Sequence, residues 1–241
     1  MPARLYIDTP LTDGAELALP DGAARHAQVL RLQPGAALVL FDGSGNEWPA
    51  EVVRMGGRRE VVVRSGVGVP VDRELPLHVV LAIGVPANER MDAVVEKASE
   101  LGVAAIQPLV CERSVLRLDG ERAEKRRLHW QSVAVAACEQ SGRARVPRIG
   151  PFIGLSAWLA ALPEQGGATR WLLSPLATAA PGALPAGAQV TALSGPEGGL
   201  SAAEESAARG RGFEAISLGA RVLRADTAPL ALLAFLGLGL A

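Results

Sequence analysis

The chain has 241 residues, a net charge of −1 and 49% hydrophobic residues, so it can bury a sizeable core as one large domain or two small ones. Its longest apolar run, residues 228–241, is too short to span a bilayer, and residues 1–11 lack the apolar stretch of a signal peptide, so we expect a cytoplasmic protein without a membrane partner. Cys111, Cys138 and three scattered histidines show no ligand spacing, which predicts buried thiols and no metal site.

The N-terminal part, residues 1–72, is predicted to be mostly β-strand, with a hairpin signal at 42–46 and one helix over 22–32. Short, closely spaced strands favour a compact β-barrel. The strand-like runs are Arg4–Ile7, Ala37–Phe41, Glu47–Val53 and Glu60–Arg64.

Gly66–Pro76, with three valines, two prolines and alternating charge, is typical of a linker. We therefore predict two domains, 1–72 and 73–241.

Beyond the predicted linker, apolar runs alternate between the strand and the helix period. A strand over 77–83 is followed by helical spacing from Met91 to Leu101, which Gly102 ends, and by a strand over 103–110. A long helix begins near Glu121. Further strands are predicted at 171–173, 189–193 and 213–218. This alternation indicates an α/β domain with a mostly parallel sheet.

Two glycine loops follow the last two predicted strands. The first, residues 192–200, reads ALSGPEGGL and leads into Ser201-Ala202-Ala203-Glu204, which has the spacing of a capping box. The second, residues 216–228, reads ISLGARVLRADTA and leads into an apolar helix with Pro229 in its first turn. Each loop alone fits a structural turn as well as a ligand site. Because both follow parallel strands, we predict that they form one pocket at the carboxyl edge of the sheet.

The motifs GPEGGLSxxE and LGxRVLRxxTA resemble those of the SPOUT RNA methyltransferases, and within that family those that methylate N3 of a uridine in 16S ribosomal RNA. The resemblance implies S-adenosylmethionine as cofactor, a C-terminal trefoil knot in the α/β domain, and a PUA-like RNA-binding β-barrel before it. It also implies a homodimer that acts on 16S rRNA, for which we expect the assembled 30S subunit as substrate, with free RNA as the alternative. The cofactor residues that it implies are Leu173, Gly195, Pro196, Glu197, Gly198, Gly199, Leu218, Gly219 and Leu223.

Two of the side chains in these motifs are candidates for catalysis. Glu197 is the candidate base or sulfonium partner, and Arg224, with Arg221 as a possible helper, is the candidate donor to negative charge that develops on the uracil ring. The alternatives are a glutamate that only stabilises a helix dipole and an arginine that only clamps phosphate.

The family resemblance extends to segments that carry candidate RNA contacts. Residues 1–72 are net acidic and residues 73–150 slightly basic, so any RNA surface must be a local patch. The matching segments are 4–8, 26–31, 97–103, 112–115 and 137–143. The resemblance makes Arg4, His26, Arg31, Arg113 and Arg143 candidates for RNA contact. The alternatives are a packing histidine and solvated helix ends.

The chain also departs from the family pattern. Gly84-Val85-Pro86 lacks a lysine that is usual after the first strand of the sheet, and Asp226 stands where glutamate is expected. The first departure weakens a phosphate contact there, and the second keeps a carboxylate of shorter reach.

Two other functions remain open, a SPOUT enzyme that methylates ribose or another base, and a non-catalytic RNA-binding protein with structural glycine loops.

Overall fold

The computed structural model describes residues 2–57, 60–86, 90–164 and 166–238. The chain divides into two compact units, Met1–Glu74 with Cys138–Val146, and Leu75–Ala137 with Pro147–Ala241. We call Cys138–Val146 the returning segment, because it follows most of a long helix of the second unit and yet folds with the first.

Within its described residues, the first unit contains a six-stranded sheet and one helix of its own, besides the end of the long helix that leads into the returning segment. The strand order is β1-β3-β4-β5-β2, with β6 paired to β4, and all pairs are antiparallel except β1 with β3. Alternate residues of the strands, such as Val61 and Val63, are buried against Ala23, Ala24 and Ala27 of the helix. The predicted N-terminal β domain is confirmed. Its elements are β1 Ala3–Tyr6, β2 Glu16–Ala18, α1 Asp21–Val29, β3 Ala37–Phe41, β4 Asn46–Met55, β5 Val61–Ser65 and β6 Val69–Pro70.

The second unit contains a seven-stranded sheet in the order β10-β8-β7-β12-β11-β13, with β9 paired to β8. Every pairing in it is parallel, which confirms the predicted α/β class. The central β7 is a nearly continuous run of buried apolar residues, as expected of a strand covered on both faces. Its elements are β7 His78–Gly84, α2 Arg90–Glu100, β8 Ala105–Val110, α3 Gly120–Ser141, β9 Arg148–Ile149, β10 Ile153–Gly154, α4 Leu155–Ala161, β11 Thr169–Leu173, β12 Gln189–Ser194, α5 Ala202–Gly210, β13 Glu214–Ile216 and α6 Thr227–Leu238.

The helices of the second unit follow from apolar spacing and from their ends. Met91, Val94, Val95 and Ala98 of α2 are buried at helical spacing, and Gly102, with φ of +91°, ends the helix. α6 is apolar on all sides and packs on α2 and β12. Among the residues described, no helix is both long and apolar enough to cross a membrane.

The predicted linker is largely part of the first unit. The amide of Gly66 donates to the carbonyl of Pro49 at 2.6 Å, that of Gly68 to Asp13 at 2.8 Å, and β6 adds a short strand. Prolines and glycines suggested an unpaired segment, but these backbone groups are hydrogen-bonded to the sheet and its loops. Short elements that the sequence did not predict are β2, β6, β9, β10 and α4.

Ion pairs hold the returning segment within the first unit. Glu47, whose side chain is 15% exposed, pairs with both Arg4 and Arg73. Arg73 donates to the carbonyl of Gly142 at 2.6 Å, and Arg4 donates to that of Arg143 at 3.0 Å. Both carbonyls lie just beyond the end of α3, where the helix dipole is negative, so the two arginines stabilise this helix end.

Apolar contacts support the same segment. Cys138 and Ala144 are buried in a cluster with Phe41, and Glu139 accepts a hydrogen bond from the amide of Tyr6 at 3.0 Å. Burial raises the pKa of the Cys138 thiol to about 11, so the thiol stays protonated near neutral pH. This cysteine therefore serves packing, as the sequence predicted.

The charge of Glu47 should make stability depend on pH. Burial alone would raise the pKa of Glu47, but the hydrogen bonds and charges of Arg73 and Arg4 outweigh it and hold the pKa below its ordinary value. A lowered pKa contributes stability above the unfolded value of about 4.3, and that stability is lost as the pH falls through the folded value. Glu47→Gln should therefore lower the free energy of unfolding by about 1.5–3 kcal/mol near neutral pH.

Urea denaturation at a series of pH values measures this difference. The gap between the wild type and Glu47→Gln should narrow as the pH falls below about 4.3 and close only below the lowered pKa of folded Glu47, where the group is neutral in both states. Glu51→Gln, which makes the same change at an exposed position of the same strand, is the matched control. A gap independent of pH, or an equal gap for the control, would contradict the assignment.

Candidate functional site

A cavity of about 470 Å³ lies at the carboxyl ends of β11, β12 and β13. Parallel strands bring these three ends to the same edge of the sheet, which is where ligands bind in open α/β folds. Apolar side chains form much of the wall, and the hydroxyl-bearing Ser174 and Ser194 are 6% and 4% exposed. The branched apolar residues in the lining are Leu172, Leu173, Leu200, Ile216, Leu218, Val222 and Leu223.

The loop after β12 is a compact turn followed by a capped helix. The amide of Gly199, with φ of +68°, donates to the carbonyl of Pro196 at 2.8 Å. At the start of α5, the amide of Glu204 donates to Ser201 Oγ at 3.3 Å, and Glu204 Oε2 accepts from the amide of Ser201 at 2.9 Å. The predicted capping box is confirmed.

Neighbouring strands fix the position of this loop. A Cβ atom at Gly84, the last residue of β7, would lie 2.5 Å from Pro196 Cδ and 3.0 Å from Cys111 Sγ. A larger residue at the end of β7 would displace the loop. Burial, reinforced by the charge of Glu204, raises the pKa of the Cys111 thiol to about 12. The thiol therefore stays protonated and is not a nucleophile here.

The loop after β13 forms a tight turn at its glycine. Ser217 Oγ accepts from the amide of Gly219 at 3.3 Å, and Gly219 has φ of +111°. The chain then reaches α6, where the carbonyl of Arg224 accepts from the amides of Thr227 and Ala228 at 3.0 Å each. These backbone bonds hold Arg224 at the point where the loop becomes a helix.

Five charged side chains among the described residues line the cavity. Arg90 Nη1 lies 3.7 Å from Glu197 Oε1, and this pair joins the start of α2 to the first glycine loop. Arg221 and Arg224 lie on the second loop, and Glu205 lies on α5. The sequence analysis identified Glu197, Arg221 and Arg224 but missed Arg90. Its position at the start of α2, the helix that follows β7, could have indicated that it lies near the carboxyl edge of the sheet.

The cavity brings together most of the predicted cofactor residues. Leu173, Gly195, Pro196, Glu197, Gly199, Leu218 and Leu223 all line it, and so does the catalytic candidate Arg224. Gly198 and Gly219 belong to the same loops but are not part of the described lining. A Cβ atom at Gly195 would lie about 3 Å from Gly199 and Leu200, so this glycine allows the loop to fold back on itself.

Two of the predicted RNA-contact residues have enclosed guanidinium groups. Arg4 is 10% exposed, pairs with Glu47 and lies over the Phe41 ring at 5.0 Å. Arg143 is 3% exposed and pairs with Glu74. Their observed contacts are structural, because buried ion pairs need both partners. RNA contact by either one would require this packing to open, which the sequence pattern did not reveal.

The other three candidates are more accessible. The side chain of His26 is 41% exposed, and its Nδ1 lies 3.1 Å from Glu139 Oε2. Arg113 is exposed, and its Nη1 donates to the carbonyl of Gly198 at 2.9 Å. Arg31 is exposed and has φ of +54°.

The backbone at Arg31 is strained. Its amide donates to the carbonyl of Gln28, and the amide of Leu32 donates to that of Ala27, which is the Schellman ending of a helix. α2 and α5 end with the same hydrogen-bond pattern, and there glycine occupies the left-handed position, as Gly102 and Gly212. At the end of α1 the same left-handed position is occupied by Arg31, although glycine would adopt that backbone conformation at a lower free-energy cost. The Arg31 position therefore carries a cost in backbone strain that a glycine would avoid.

Comparisons with known proteins cover both units. A family model described as an RNA methyltransferase domain matches residues 73–237, and one described as an RNA methyltransferase PUA domain matches residues 19–64. Ribosomal RNA small subunit methyltransferase E of Mycobacterium tuberculosis is 34% identical over 241 residues, which covers 96% of this chain and 90% of the relative. The protein of the same name from Synechocystis is 33% identical and covers 86% of this chain and 67% of its own length.

Solved structures extend the similarity to the fold. The structure of ribosomal RNA small subunit methyltransferase E from Neisseria gonorrhoeae bound to S-adenosyl methionine has a TM-score of 0.89 and 35% identity, and the match covers 97% of this chain and 96% of that one. A Legionella pneumophila structure with bound SAM has a TM-score of 0.91 and 34% identity, over 99% of this chain and 98% of that one.

The turn at Gly219 yields a matched pair of substitutions. A Cβ atom meets nothing within 4 Å at either Gly219 or Gly210, so the two sites differ in backbone conformation rather than in space. Gly219→Ala should lower the free energy of unfolding by about 1–3 kcal/mol, because its φ disfavours any side chain. Gly210→Ala, at the end of α5, should raise it by up to about 1 kcal/mol. Urea denaturation measures both, and equal effects would show that the turn at Gly219 imposes no strain.

Proposed function

The chain belongs to the RNA methyltransferase family that includes the ribosomal RNA small subunit methyltransferases E, and we propose that it transfers a methyl group from S-adenosylmethionine to N3 of a specific uridine in 16S rRNA. The observation that carries this proposal is the cavity at the carboxyl ends of β11, β12 and β13, with the GPEGGLS loop as one wall. Relatives with SAM bound share this fold over nearly their whole length.

The cavity suits this cofactor in size and chemistry. Its volume lies within the range of small-molecule sites, about 300–1,000 Å³. Leucine side chains offer an apolar surface for a nucleobase, whereas Ser174 and Ser194 offer hydroxyl groups for hydrogen bonds. The Arg90–Glu197 pair and Glu205 provide both signs of charge for an amino acid moiety. The cofactor supplies an electrophilic methyl group on a sulfonium.

Alignment of the two reactants is the main task of this site. Holding donor and acceptor in line is worth an effective molarity of about 10⁵–10⁸ M, and backbone loops fixed by the sheet are suited to that task. Uridine N3 must lose a proton, and the sulfonium of the cofactor carries a positive charge. We assign Glu197 as the acceptor of that proton or as the partner of the sulfonium. We assign Arg224, with Arg221, as donor to the negative charge left on the uracil oxygens.

For RNA contact, we propose Arg31, His26 and Arg113 as the accessible side chains. The division of labour follows the chain order, with residues 1–72 docking RNA and residues 73–241 binding cofactor. The returning segment modifies this scheme, because it belongs to the second region by sequence and to the first unit by packing. A truncated protein that begins at Arg73 would lose the partners of this segment.

The family also suggests an assembly and a topology. We propose a homodimer, which the exposed Phe235 and Leu238 on the apolar α6 support. We also propose a C-terminal trefoil knot from the family resemblance, with α6 packed on β12 and α2 after the edge strand β13. The substrate would be the assembled 30S subunit in the cytoplasm.

Methylation of 30S subunits tests the reaction and the role of Arg224 together. Wild-type protein incubated with labelled S-adenosylmethionine and subunits that lack the modification should yield 3-methyluridine, identified by mass analysis of digested RNA. Arg224→Ala should lower kcat by about 10²–10³-fold, with cofactor affinity nearly unchanged, because its donor acts on charge that develops during transfer.

Arg148→Ala is the control for that experiment, since Arg148 is exposed on β9 and outside the cavity. It should retain wild-type kcat. A product methylated on ribose or another base would refute the N3 assignment, and a loss of cofactor affinity in Arg224→Ala would make Arg224 a binding residue instead.

The strained Arg31 should show opposite effects on folding and RNA binding. Arg31→Gly should raise the free energy of unfolding by about 1 kcal/mol, because glycine adopts the left-handed conformation without steric cost. The same change should weaken binding to the 30S subunit. It should also reduce the slope of log binding constant against log salt concentration by about 0.7–0.9, which is the contribution of one phosphate contact.

Arg64→Gln, an exposed arginine on β5 of the same unit, controls for the loss of charge. Filter binding across a salt series and urea denaturation provide the two measurements. If Arg31→Gly and Arg64→Gln change the salt slope equally, Arg31 is not a specific contact.

A further inference from the structure

The turn that follows β8 lies against the outer side of the first glycine loop. The amide of Cys111 donates to Ser114 Oγ at 2.9 Å, and the amide of Ser114 donates to the carbonyl of Cys111 at 3.1 Å. Cys111 and Ser114 are buried, whereas the two residues between them, Glu112 and Arg113, are exposed. The turn is therefore anchored at both ends and presents Glu112 and Arg113 at its tip.

Two hydrogen bonds connect this turn to the glycine loop and to the helix after it. Arg113 Nη1 donates to the carbonyl of Gly198 at 2.9 Å. The amide of Glu112 donates to Glu204 Oε1 at 2.8 Å, while Glu204 Oε2 accepts from the amide of Ser201 at 2.9 Å. One carboxylate thus joins the end of the glycine loop to the turn after β8.

Gly198 allows the close approach that this contact needs. A Cβ atom at Gly198 would lie 3.0 Å from Arg113 Cβ. Gly195, Pro196, Glu197 and Gly199 line the cavity, but Gly198 does not. The loop therefore has two sides, one toward the cavity and one toward Arg113.

We infer that Arg113 and Glu204 are positioning residues, which hold the glycine loop in its cofactor-binding conformation from outside the cavity. This inference rests on the proposed function. A loop with three glycines loses much conformational entropy when it is ordered. Apparent affinity falls in proportion to the fraction of molecules whose loop is correctly formed, so contacts that order the loop raise affinity without touching the ligand.

This inference gives Arg113 a role in cofactor binding that is separate from the RNA contact proposed above, and each role predicts its own result. Isothermal titration of the full-length protein with S-adenosylmethionine, without RNA, distinguishes them. Arg113→Ala and Glu204→Gln should each raise the Kd by about tenfold, because each removes a charge-assisted hydrogen bond to the loop or the turn. Arg113→Lys keeps the positive charge and can still donate to the carbonyl of Gly198, though without the planar guanidinium, so it should recover part of the affinity.

Two controls separate loop positioning from general effects. Arg122→Ala removes a positive charge from the exposed face of α3 and should leave the Kd within about twofold of wild type. Ser201→Ala removes the hydrogen bond to the amide of Glu204 but leaves both acceptor contacts of the Glu204 carboxylate. It should lower the melting temperature through loss of the cap and leave the Kd within about threefold.

Three outcomes would overturn the inference. Wild-type Kd in Arg113→Ala, together with weaker binding to 30S subunits, would make Arg113 an RNA contact. An equal loss of affinity in Ser201→Ala and Glu204→Gln would assign the effect to helix capping. A lower melting temperature with unchanged Kd in both Arg113→Ala and Glu204→Gln would make the contacts purely structural. If wild-type protein binds no S-adenosylmethionine, the proposed function itself fails, which is a separate result.

Discussion

The parallel pairing of β12 with β7 on one side and β11 on the other is the constraint on which the site depends. Because these strands and β13 run in the same direction, the loops that leave β11, β12 and β13 emerge at the same edge of the sheet. The register sets Ser194 beside Ile83, one residue before Gly84, so the glycine loop begins where β7 ends in a residue without a side chain. The cavity is thus a consequence of strand direction and of one small residue.

Local signals allowed much of this fold to be predicted from the sequence. The capping box at Ser201 and Glu204, the helix end at Gly102 and the apolar run of β12 each involve residues close together in the chain. Caps, helix ends and buried strands that involve only one turn or one strand can be predicted from the spacing of residues alone. Both glycine loops were identified in this way, together with most of the residues that line the cavity.

Contacts between distant residues account for what the sequence did not predict. Arg4 contacts the carbonyl of Arg143, 139 residues away, and Arg143 pairs with Glu74, 69 residues away. The spacing of residues along the chain cannot predict a pair between such distant positions. The sequence analysis therefore chose Arg4 and Arg143 for RNA contact, although both are enclosed in ion pairs. The short β9 and β10 gave too little pattern to detect.

Arg31 departs from a local pattern. The left-handed position at a helix end is usually a glycine, as at Gly102 and Gly212, but at the end of α1 it is an arginine. Departures of this kind are expected where a side chain serves function at the expense of stability.

The spacing of the GPEGGLSxxE motif has a physical explanation in these contacts. Glycines give the loop its shape and its close approach to Arg113, but they also make it flexible, so the loop needs support from outside. Glu204 is placed three residues after Ser201, at the position from which a carboxylate reaches back to the first amide of the capping box. Its second oxygen then remains available for the amide of Glu112. An aspartate there would be one methylene shorter and would have to give up one of the two amides, so the length of this side chain couples the helix cap to the turn after β8.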